Sequence, residues 1–189
     1  IKQNYESTNI DTHSYIFPSD VLKQSRNTVP NHVNWGHAGP DFEMDPEIVN
    51  HSSPEVRPEE KDFLRVPTVS LVMDWDEMFG SSGIYIRGES VERSTSIEYI
   101  NPNRNTEDPN SEKGFQINGT VQVVGGSSTG RWKSDKLSLR LKFDQDLRYP
   151  MYGKNRATRF DTLVLDHRLN NVWHYNRGED QRARAQYTH

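Results

Sequence analysis

Two stretches of strict alternation constrain this chain more than anything else in it. In FQINGTVQVV, Phe115, Ile117, Val121 and Val123 fall on one side, and Gln116, Asn118, Thr120 and Gln122 on the other. In KLSLRLKF, Leu137, Leu139, Leu141 and Phe143 alternate with Lys136, Ser138, Arg140 and Lys142. Side chains of a strand point to opposite faces with a period of two, whereas a helix repeats every 3.6 residues. The pattern therefore predicts two strands of a half-buried sheet, with an apolar inner face and a basic, hydroxyl- and amide-bearing outer face.

Other segments extend that sheet. TVSLVM (68–73) reads as a short buried strand, and GIYIR (83–87) and STSIEYI (94–100) as further strands. FDTLVLD (160–166) has a central apolar run that predicts a strand buried on both faces. DWDEMFG (74–80) reads as a short helix capped by Asp74 and ended by Gly80. The fold class expected is α+β, a mainly antiparallel sheet with short helices. Residues 1–65 read as an irregular segment preceding the domain or wrapping onto it, with residues 66–189 forming the domain. Within the first segment, Val21 and Leu22 sit on a helical turn or two. DPEIVN (45–50) predicts one more turn, with Asp45 as cap and Pro46 in first position.

The charge balance narrows the partners. Lysine and arginine number 23 against 27 acidic residues, for a net charge of −4, where a nucleic-acid binder would carry a basic surplus. No apolar run approaches the ~20 residues that a membrane-spanning helix needs. Cysteine is absent, so disulfides and thiolate metal sites are excluded. The chain starts at Ile1, and RARAQYTH (182–189) reads as the opening turns of a helix, so a piece of a longer protein is expected.

Between the two alternating strands lies GGSSTGRWKSD (125–135). Glycines let backbone N–H groups turn toward an anion, and hydroxyls add donors. Lys136, Arg140 and Lys142 then follow on one strand face. That chemistry suits phosphate; it equally suits a hairpin tip above a solvated basic face. Elsewhere, His32 and His37 lack helical spacing and cysteine partners, so they make a poor metal pair. Asp41 to Glu47 alternates acid with apolar residues, a spacing open to calcium or to a solvated loop with a helix cap. Asp74 and Asp76 could be paired acids, but capping explains them better.

Several ordered blocks resemble one family. PTVSLVMDWDEMFGSSGIYIRGE, ERSTSIEYINP, GFQINGTVQVVGGSSTGRWKSDKLSLRLKF, RYPMYG, RFDTLVLDHRLNNVW and RARAQYTH together look like the first half of the spore-coat-protein-H (CotH) kinase family. The similarity covers roughly residues 66–189. It implies the nucleotide-side lobe of an atypical protein kinase-like fold that binds ATP with Mg²⁺ and phosphorylates secreted or surface proteins. It further implies an exported bacterial protein. Carried onto this sequence, it puts Gly125, Gly126, Ser127 and Ser128 near the phosphates. Lys136 falls where the family has its strand lysine, the counterpart of a kinase's phosphate-positioning lysine, and Arg140 lies on the same face. The chain departs from the family at Asp135, where proline is common, and at Asp166-His167, where arginine often stands. The family's metal-binding acids belong to the second lobe, beyond the position of His189, so this stretch is expected to lack them. The alternative expectation is a secreted surface or adhesive β-rich module without phosphotransfer.

Overall fold

The computed structural model describes residues 12–25, 27, 43–102, 114–125, 137–153 and 155–166. Three single-turn helices lead in: α1 (Pro18–Val21), α2 (Pro46–Val49) and α3 (Glu60–Phe63). Asp45 caps α2 by accepting the Glu47 N–H at 2.8 Å. At α3 the Asp62 side chain reaches back to accept the Glu59 N–H, also at 2.8 Å.

The sheet begins with β1 (Thr68–Val72). It continues through β2 (Arg93–Ile100), β3 (Phe115–Val124), β4 (Ser138–Arg148) and β5 (Arg159–Leu165). Every strand pairs antiparallel with its sequence neighbour, in the order β1-β2-β3-β4-β5. Between β1 and β2 sit α4 (Trp75–Phe79) and α5 (Ile84–Arg87). The described residues thus form an α+β fold, a five-stranded antiparallel sheet with a few short helices. Among the described residues no helix is long and apolar enough to cross a membrane.

The alternation predicts the faces. Ile117, Val121 and Val123 of β3 and Leu141 and Phe143 of β4 are buried in one cluster with Ile97 of β2. Leu137 and Leu139 are half-buried against its rim. The lid over this face is α5, whose Ile84 is fully buried (0% exposed) in the same cluster. Leu147 and Tyr149 close the cluster from the end of β4.

Two expectations need correction. GIYIR is a helix, not a strand. Gly83 and Gly88 bracket a single turn, and that turn drives Ile84 down into the core, where tertiary burial outweighs the β-preference of isoleucine and tyrosine. FDTLVLD is a strand but is not buried on both faces. It is the last in the order, and Val164 remains 54% exposed beside the polar face. Between β4 and β5 the register also slips. Lys142 pairs with Thr162 and Leu147 with Phe160, so residues 143–146 stand opposite Asp161 alone. Arg159 Nε donates to Asp146 at 2.8 Å and ties this bulge to β5.

Candidate functional site

The register lays out the polar face in cross-strand rows. Asn118 of β3 lies opposite Ser96, Thr120 opposite Lys142, Gln122 opposite Arg140, and Val124 opposite Ser138. The rows nearest the β3–β4 connection carry the candidate anion-binding residues. There β3 stops at Val124, and Gly125 follows with φ 131°, a backbone conformation that a side chain resists. That glycine turns the chain out of the sheet one residue after Val124. Arg140 lies one row inward on the polar face. Gly125 and Arg140 therefore stand at the same end of the same hairpin. Gly126, Ser127, Ser128 and Lys136 lie outside the described residues, as do His32, His37 and Asp41.

Arg140 has neighbours that the sequence reading did not pick out. Its guanidinium donates to the side-chain oxygen of Gln122, its cross-strand partner. It also stands 3.7 Å from a carboxylate oxygen of Glu92, just ahead of β2. The Thr120 hydroxyl donates to the other Glu92 oxygen at 3.2 Å, and Gln122 Nε2 donates to the Glu89 carbonyl at 2.6 Å. Four side chains thus form one linked network: Thr120, Glu92, Arg140 and Gln122. The signal available in the sequence was the shared parity of Thr120, Gln122 and Arg140. Glu92, one residue before the strand, carried no such mark. At the outermost row the Ser138 hydroxyl donates to Asp166 at 3.3 Å. Lys142 is exposed on the same face.

The opposite end of this face is occupied by the chain itself. Ser14 donates its backbone N–H to Glu98 at 2.7 Å, and its hydroxyl lies 2.6 Å from that of Ser70. His13 Nδ1 is 3.8 Å from Glu98. His13 and Ser14 therefore lie against β1 and β2.

A depression of about 370 Å³ opens where β1 gives way to α4, lined in part by Asp74, Glu77, Ser96, Asn118 and Asp144. Asp74 is spoken for here: one carboxylate oxygen accepts the N–H groups of Asp76 (2.8 Å) and Glu77 (3.4 Å). Capping is its role, as the sequence suggested. Among the described residues no three or more His, Asp or Glu side chains converge as a metal site. Beside Gly125 and Arg140 the described acids are Glu92 and Asp166, each already bonded within the sheet. They do not make a magnesium site.

No family model, no curated protein and no solved structure matches the chain.

Proposed function

We propose that this chain forms the nucleotide-side part of a CotH-like atypical protein kinase, exported from a bacterium, that takes ATP with Mg²⁺ and phosphorylates secreted or surface proteins. One observation carries the reading. Gly125, with positive φ, directly follows β3, and Arg140 stands one row inward on the polar face of the same hairpin. Backbone N–H groups at such a turn and a cation beside it are what a phosphate chain needs. The ordered sequence blocks from residue 66 onward support the same assignment. In it, the Gly125, Gly126, Ser127 and Ser128 backbone lies along the phosphates, and Lys136 and Arg140 supply positive charge. On this reading the stretch itself lacks the catalytic acids, and those that hold Mg²⁺ belong to a second lobe.

Calorimetric titration of ATP into wild type, Lys136→Ala and Lys142→Ala tests it. A charge-assisted bond to phosphate is worth roughly 1.5–3 kcal/mol, so Lys136→Ala should weaken binding about tenfold or more. Lys142→Ala, further along the strand, should matter less. Equal binding by wild type and Lys136→Ala would remove the lysine from the site.

A non-catalytic secreted surface module is the second reading. The observation in its favour is that Arg140 is already engaged by Glu92 and Gln122, as on a solvated sheet face. On that reading no variant binds ATP at millimolar concentration.

A further inference from the structure

We infer that Glu92 is a built-in counter-ion that competes with the nucleotide's phosphates for Arg140, and so sets how much negative charge a ligand must bring to occupy the site; this rests on the nucleotide reading above. The geometry is specific. Gln122 and Arg140 are cross-strand partners, and the Glu92 carboxylate, just ahead of β2, stands 3.7 Å from the guanidinium. The Thr120 hydroxyl donates to the second carboxylate oxygen, which holds Glu92 beside Arg140. Gln122 is itself fixed by the Glu89 carbonyl and holds Arg140 from the other side. The guanidinium therefore stands pre-oriented by an amide and neutralised by an acid.

Both members of the ion pair are substantially exposed, at 41% for Arg140 and 40% for Glu92. The pair is therefore weak enough to be opened by a stronger anion. On the face around it, Lys142 adds one positive charge, and Asp166, bonded to Ser138, adds one negative. With Glu92 in place, these four described charges sum to zero. A singly charged anion gains little by exchanging with a carboxylate already in position. A polyphosphate, with several charges, gains more, because it can hold Arg140 while its remaining charges meet other donors. Glu92 thus selects for a polyphosphate over a monoanion. It also repels any phosphate that approaches without displacing it.

The test is calorimetric titration of ATP, in Mg²⁺ buffer at low salt, into wild type, Glu92→Gln, Arg140→Gln and the double variant. Glutamine keeps the size of the side chain and can still accept from Thr120, so thermal melts should show all four folded. Glu92→Gln should bind ATP about two- to fivefold tighter, the range expected for releasing an exposed ion pair. The gain should shrink in 0.5 M salt, about where screening becomes strong. It should shrink, to the remainder left by direct repulsion, when Arg140→Gln is also present. Adenosine, which has no phosphate, should show no gain. If wild type binds ATP and Glu92→Gln binds it equally or more weakly, Glu92 is not a competitor, and the nucleotide reading stands without it. An equal gain with adenosine would likewise overturn the counter-ion role. Failure of every variant to bind ATP would overturn the nucleotide reading and this inference together.

Discussion

Tyr99 and Phe115 face each other directly across β2 and β3, their rings nearly parallel (8°) with centroids 5.4 Å apart. Tyr149 closes on both rings edge-on, at 5.3 and 5.0 Å. The phenol of Tyr99 is thereby partly withdrawn from water, and this burial raises its pKa above the ordinary tyrosine value. On alkaline titration the unfolded chain gives up this proton first, so the folded state binds more protons. Stability is then fully present below about pH 10 and is lost as pH climbs through the raised value. Thermal melts from pH 8 to 11 should show a falling Tm that is less steep in Tyr99→Phe. An identical alkaline slope in the two proteins would show that Tyr99 is not responsible.

Leu141 is 1% exposed at the centre of the core, while Leu139, two residues earlier on the same face, is half-buried. Leu141→Ala should cost about 2–5 kcal/mol, the span for a leucine deleted from a packed interior. Leu139→Ala should cost visibly less, because water already reaches part of it. Urea unfolding of the two variants makes the comparison, and a larger loss at Leu139 would misplace the centre of the core.

Gly119 sits in mid-β3, where a strand would ordinarily carry a side chain. A Cβ there would collide with the Lys142 carbonyl and come within 3.2 Å of the Ile97 side chain. The backbone oxygen cannot swing away without breaking the β3–β4 ladder. Gly119→Ala should therefore destabilise by about 1–3 kcal/mol, an overpacking penalty, although alanine is otherwise the easier residue to order. A neutral or stabilising result in chemical denaturation would contradict the close approach.

Asp74→Ala removes the acceptor for two N–H groups at the start of α4. Loss of such a cap costs about 1 kcal/mol. Asp74→Asn should recover most of it, since the amide oxygen can accept the same bonds. If Asp74→Asn were no better than alanine, the carboxylate's charge would be the important property, not its capping bonds.

The strands with one wet face were legible because alternation is written directly into 115–124 and 136–143. What escaped were features decided by neighbours far along the chain. GIYIR has the composition of a strand, but Ile84 has a core waiting above it, and a helical turn delivers it there. FDTLVLD has the apolar run of a central strand, yet nothing local to those residues says that the strand comes last in the sheet. The α3 turn was marked only by the reciprocal Glu59 and Asp62, inside an acidic run that reads as solvated loop. At the candidate site the sequence indicated Arg140 through parity. It could not indicate Glu92, because a residue ahead of the strand acquires its place from the strand's twist and register.

The order β1-β2-β3-β4-β5 has a consequence for how the sheet can be made on the ribosome. No strand has to be threaded between two that have already joined. Each one, as it emerges, meets a waiting edge left by the strand synthesised just before it. Assembly can therefore keep pace with translation. The lid does not lag behind, because α5 precedes β2 and Ile84 is available when the first apolar surface appears. The growing edge is exposed at every stage, and among the described strands it advances to β5, which carries the charges of Arg159 and Asp161.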